Sequence, residues 1–206
     1  VLEAPNRDRR AERRSATQAE ILEAAWGLCA ANGLASLSLR DLGRQIGLKA
    51  PSLYSYFESK NAIYDAMFAQ GCQQLLDERP AQIPSDLLAG IRAIMRYFVS
   101  FCVADPVRYQ LLFQRTIPGF VPSAETFAIS QNAMRLTRDW FAEHGLDRPE
   151  VVDLFTAVSS GIAAQQNSNE PGGDRWTQLV DGAALMFVRH ITAGDDQPAS
   201  PGRKPT

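Results

Sequence analysis

The feature that most constrains this chain is an apolar period of three to four residues that runs along nearly its whole length. No sustained two-residue alternation and no Asn-Gly hairpin interrupts it. An all-α fold follows, because side chains three and four apart share one face of a helix. In the first helix Ile21, Leu22, Ala25, Leu28 and Cys29 form such a face, and Asn32-Gly33 ends it with Gly33 as a left-handed C-cap. Thr17 followed by Glu20 reads as a capping box, which places the start of this helix near Ser15 or Thr17.

Two short helices come next. Ser38 caps the first, Leu39, Leu42 and Ile46 point inward, and Gly47 stops it. The second covers about residues 50–56, with Pro51 in a first turn where its missing N–H costs nothing. Ser59 then caps a longer helix with Ile63, Met67, Gly71 and Leu75 on one face. "ERPAQIPSD" is the clearest linker, and a domain boundary is expected at residues 79/80. Further helices are expected over about 85–103, from Asp105-Pro106 onward, and over 124–144, 149–167 and 175–191. In "EPGGDRW" Asp174 is expected to cap the last of these. No apolar run approaches the ~18 residues of a membrane span.

The 206 residues carry a formal net charge of −2, which excludes a globally basic nucleic-acid binder. The distribution says more. Residues 1–60 hold nine Lys/Arg against seven Asp/Glu, and the remainder twelve against sixteen. A locally basic front on an acidic body can meet phosphate with one face. Three widely spaced cysteines, Cys29, Cys72 and Cys102, argue against a disulfide framework and fit a reducing compartment. No secretion signal is read, and a cytoplasmic location is expected. His144 and His190 are isolated, so no metal, cofactor or acid–base centre is implied.

Two short helices joined by a Gly-containing turn and packed on a third describe a helix-turn-helix. Lys49, Ala50, Pro51 and Ser52 open its second helix, the end that enters the major groove, and they are small or polar enough to approach base edges. Tyr54 can offer a hydroxyl to phosphate, and Lys60 adds a cation at the next helix start. At any one of these positions a plain solvated surface residue is the bland alternative; for the whole set it is a poor one.

"ILEAAWGLCAANGLASLSLRDLGRQIGLKAPSLYSYFESKNAIYDAMF" resembles the DNA-binding domain of the TetR/AcrR family of bacterial transcriptional regulators. The resemblance rests on "ILEAA", the Gly33 turn, "SLRDLGRQIG", Leu53-Tyr54, Tyr56-Phe57 and Lys60. It implies an N-terminal three-helix DNA-binding domain and a C-terminal helical bundle for ligand binding and dimerisation. It places Ser38, Arg40, Tyr54, Tyr56 and Lys60 at phosphate, Lys49, Ala50, Pro51 and Ser52 toward bases, and Phe57 in the core. Lys49 stands where the family often has Ser or Thr, and Tyr56 where His is common.

The implied layout is a basic flexible arm (1–14), a DNA-binding domain (15–79), a ligand and dimer domain (80–192) and a disordered tail (193–206). The implied partners are double-stranded operator DNA, a small-molecule effector and a second copy of the chain, with no membrane. The function expected is a ligand-responsive repressor on a palindromic operator. An α-helical enzyme, or an interaction module that has lost DNA binding, are the alternatives. Pocket candidates are Met95, Phe98, Cys102, Tyr109, Phe113, Phe127, Met134 and Trp140, with Tyr109 and Gln131 as orienting donors. Dimer candidates are Ala157, Gly161, Ala164, Trp176, Val180, Ala184 and Phe187.

Overall fold

The computed structural model describes residues 5–193; the expected tail at 193–206 lies, beyond Ala193, outside them. Among the described residues every regular element is helical. The chain divides into two compact units. One holds the described chain up to Glu78 together with Asp105–Met134, and the other holds Arg79–Ala104 and the described chain from Arg135. The chain divides after Glu78, and the return of Asp105–Met134 to the first unit is not visible as a composition shift.

In the first unit α1 (Pro5–Asn32) is longer than its capping box suggested. Thr17 does not cap; its hydroxyl donates back to the Arg13 carbonyl, 3.0 Å away, inside the helix. Residues 6–16 contain no glycine or second proline, and the Arg, Ala and Glu among them are strong helix formers, so nothing stops the helix before Pro5. The basic segment of residues 5–14 is therefore helix and not a flexible arm. Gly33 closes α1 with φ +84° and ψ 154°, an extended conformation that side chains forbid, rather than the left-handed cap expected.

After a single 3-10 turn, α2 (Leu39–Gln45) begins at Ser38, whose hydroxyl accepts from the Asp41 amide. Gly47, at φ +71°, turns the chain into the short α3 (Ala50–Leu53). α4 (Lys60–Asp77) starts at the Ser59 cap. α6 (Pro106–Phe113) starts at Asp105, which accepts from the Arg108 amide. The core is a single cluster in which Ile21, Ala25 and Cys29 of α1 meet Leu42, Leu53, Ile63, Met67 and Leu111. Tyr64 is buried there and its hydroxyl donates to the Leu34 carbonyl. Asp65 of α4 accepts from the Ser123 amide at 2.8 Å and from the Thr126 hydroxyl at 2.6 Å, which fixes the start of α7 (Ala124–Glu143).

The second unit packs α5 (Leu87–Ala104) against α8 (Pro149–Asn169) and α9 (Val180–Ala193). Trp140, Phe141, Phe155 and Phe187 fill its core edge-to-face. Contrary to the sequence expectation, α5 is long and apolar enough to span a membrane by length and composition. Its environment explains the composition: Ile91, Ile94, Met95, Val99, Phe101 and Cys102 are buried, and Arg92 and Arg96 both pair with Asp181 of α9. Asp174 does not cap the last helix. The loop before α9 is held by buried Gln166, whose side-chain oxygen accepts from the Trp176 amide at 2.8 Å, and by Glu170, which accepts from the Arg175 amide.

Candidate nucleic-acid interface

α2, the Gly47 turn and α3 place the predicted groove-facing residues together. The turn is tight because the Leu48 amide donates to the Gly43 carbonyl at 2.8 Å. A Cβ on Gly43 would stand 2.5 Å from the Leu48 carbonyl oxygen, so only glycine allows this approach. Leu53 is buried and anchors α3 to the core, which leaves Lys49, Pro51 and Ser52 exposed and Ala50 half-buried at its free end. Lys49 supplies no side-chain cap, and Pro51 stands in the first turn.

The aromatic residues after α3 divide by environment. Tyr54 is 55% exposed. Phe57 and Tyr56 are half-buried and pack on the apolar cluster. Tyr56 is also held from α1: Gln18 donates to its carbonyl at 3.2 Å, and the Arg14 guanidinium lies 5.4 Å from its ring centre. Arg40 is exposed on α2, and Ser38 is committed to the cap. Lys60 begins α4 with its ammonium 5.5 Å over the Tyr64 ring and 3.4 Å from the Ala35 carbonyl, which holds the cation at the helix start. Gly43, Arg14 and Gln18 belong to this constellation; Gly43 and Gln18 were missed from sequence, and Arg14 was read only as part of the basic arm. A glycine inside a seven-residue helix was the available signal for Gly43; for the contacts of Arg14 and Gln18 with Tyr56 there was none, since Tyr56 is about forty residues away in sequence.

The other candidates are less well assembled. Met95, Cys102 and Trp140 are buried in the second unit and Phe98 half-buried there, whereas Tyr109, Phe113, Phe127, Gln131 and Met134 belong to the first. They do not form one wall within either unit, and the Tyr109 hydroxyl already accepts from Gln114. The second unit instead has a cleft of about 420 Å³ bordered by Arg79, Ile83, Asp139, Trp140, Glu143 and His144. Of the dimer candidates, Val180, Ala184 and Phe187 are corrected to core, at 3%, 0% and 1% exposure, because α9 turns that stripe onto α5 and α8. Ala157 and Gly161 are exposed, Ala164 and Trp176 half-buried, and Leu179 and Met186 expose large apolar side chains.

A short helix with an exposed small-residue start, set by a glycine turn on two supporting helices and flanked by cations and a tyrosine hydroxyl, defines a helix-turn-helix DNA-binding protein. Residues 21–67 match the family of "Bacterial regulatory proteins, tetR family". Over those residues the chain carries the DNA-binding domain of that family, and it is a DNA-binding transcriptional regulator. It is 28% identical over 190 residues to the provisionally named mycofactocin biosynthesis transcriptional regulator MftR of Mycobacterium tuberculosis, covering 90% of this chain and 85% of that one. It is 27% identical over 168 residues to the transcriptional repressor DrrR1 of Streptomyces coeruleorubidus, covering 78% of this chain but only 57% of that longer protein. A tetR-family transcriptional regulator of known structure from Streptomyces coelicolor superposes with a TM-score of 0.66 at 19% identity, over 90% of this chain and 84% of that one.

Proposed function

We propose that this regulator is a ligand-responsive repressor that binds a palindromic operator as a homodimer and leaves it when a small molecule binds. The observation that carries the DNA-reading half is the exposed start of α3. Lys49, Pro51 and Ser52 stand free there, while Leu53, one to four residues on, is locked in the core. Ser52 and Lys49 face bases, and Tyr54, Tyr56, Arg40 and Lys60 face phosphate. Repression is the role named for the Streptomyces coeruleorubidus relative.

The second unit is the proposed dimer and effector module. Leu179 and Met186, 49% and 58% exposed, stand three residues before and four after exposed Gly182, Ala157 and Gly161 are exposed on α8, and a Cβ at either glycine would meet nothing within 4 Å. Such a face suits two-fold packing of helix on helix, and two-fold symmetry matches paired half-sites. The cleft beside Trp140 has the volume of a small-molecule site. Effector binding then acts by preferring a dimer geometry in which the two recognition helices no longer reach successive grooves.

The test is a binding assay of the purified chain on duplexes selected from a random pool, with sedimentation to read the dimer. The double charge reversal Arg40→Glu with Lys60→Glu should abolish the complex. Absence of any sequence-specific complex, or full binding by the reversed protein, overturns the reading.

A further inference from the structure

The first turns of α1 are not used by the helix-turn-helix itself, yet they are not detached from it. Arg10, Arg14 and Gln18 are four residues apart, so they form one stripe along α1. Gln18 and Arg14 both engage Tyr56, the first through its carbonyl and the second across its ring. The inner end of the stripe is thus fixed to the residue that closes the recognition segment. Arg10 continues it one helical turn outward, about 6 Å further along the axis.

This stripe lacks the marks of an ordinary solvated face. Arg9, Arg10, Arg13 and Arg14 are all exposed, and among the described residues none has a carboxylate partner. Glu12 is two residues from both Arg10 and Arg14 and so stands about 200° around the helix from each. A row of cations with no carboxylate partner among the described residues, held at a set angle against a groove-reading element, matches a row of phosphates.

We propose that Arg10 and Arg14 form a rigid phosphate clamp. They bind the DNA backbone beside the groove read by α3, and they carry affinity and register without reading sequence. The inference rests on the DNA-binding reading above and extends the interface by one helical element. A helix already formed before binding pays no ordering entropy, unlike a basic tail that must fold on DNA.

The experiment measures affinity of the full chain for a duplex selected by the wild-type protein, between about 50 and about 200 mM salt. Removing one cation from the phosphate backbone should reduce the slope of log K against log salt by about 0.9 per protomer. Arg10→Ala alone should show one such step, and Arg10→Ala with Arg14→Ala two, while the ranking of single-base operator variants stays as in wild type. Arg10 is exposed and has no ion-pair partner among the described residues, so its step does not come from a disturbed fold. An unchanged slope in Arg10→Ala, or an altered base ranking in the double variant, overturns the clamp while leaving the DNA-binding reading intact. A wild-type protein that binds no selected duplex overturns both.

Discussion

Replacing Gly43 by alanine tests whether the helix-turn-helix is set by one backbone approach. The new Cβ would lie 2.5 Å from the Leu48 carbonyl oxygen and 3.3 Å from the Ala50 amide. Ordinary contact begins near 3.4 Å, so the turn must retreat by roughly 0.9 Å. No rotamer can relieve the clash, because both neighbours are backbone. Overpacking costs about 1–3 kcal/mol, and the gain from replacing a helical glycine offsets about 1 kcal/mol of it. Global stability should therefore fall only modestly, by about 1 kcal/mol. The consequence for DNA is larger, because Leu48 and Ala50 bracket Lys49 and lead directly into Pro51 and Ser52. Misplacing a base contact costs about 1–3 kcal/mol per site, which is roughly a tenfold loss for each 1.4 kcal/mol. The expected signature is an affinity loss clearly greater than the stability loss, read by anisotropy on a selected duplex beside urea unfolding. Gly27→Ala is the internal control: it is exposed on α1 and its nearest neighbour would be the Gln45 amide nitrogen at 3.8 Å. It should stabilise by about 0.5–1 kcal/mol and leave affinity unchanged. A Gly43→Ala protein with wild-type affinity, or one indistinguishable from Gly27→Ala, refutes the reasoning.

Two further outcomes follow from titratable groups. His144 stacks on Trp140, with Nδ1 2.8 Å from the Trp140 carbonyl and Nε2 2.9 Å from the Ser85 carbonyl. Both acceptors lack protons, so both bonds need the imidazolium. The bond to Trp140, then that to Ser85, with Glu143 adding its charge, raises its pKa despite some desolvation. A raised folded pKa gives a stabilisation fully present below the unfolded value of about 6.5 and lost as pH climbs through the folded value. Resonances of His144 should titrate above about 6.5, and a midpoint at or below that value counts against the geometry. Burial pushes the thiols of Cys29, Cys72 and Cys102 up to about 11, 12 and 12, with Lys60 partly countering it at Cys29. All three are free and buried, so a thiol reagent at mildly alkaline pH should label none in the native protein and all three in denaturant; one fast native thiol contradicts the core assignment.

Much of the helix-turn-helix was legible because its signals are local. Caps at Ser38, Ser59 and Asp105 each satisfy an amide three residues on, and a run of small residues after a glycine turn shows within one short stretch. The start of α1 was misread for a related reason. A capping box and an uninterrupted helix-forming run competed, and the longer helix prevailed once nothing opposed it at residues 6–16. The buried stripe of α9 was misassigned because α9 is apolar on more than one side, so periodicity alone does not say which side meets α5. The pocket candidates divide between the two units because the chain returns to the first unit between Asp105 and Met134, which no composition shift marks.

By itself, the sequence determined that the protein is helical, where most helices begin, and which residues stand at the exposed start of α3. These depend on backbone amides and side chains within a few positions of one another. Only the tertiary structure decided that Gly43 sets the turn, that Val180, Ala184 and Phe187 are core, and that Arg14 and Gln18 lean on Tyr56. Those facts depend on where distant segments meet, and the burial that brings them together is non-directional. A periodic pattern specifies that a face is covered; packing alone specifies what covers it.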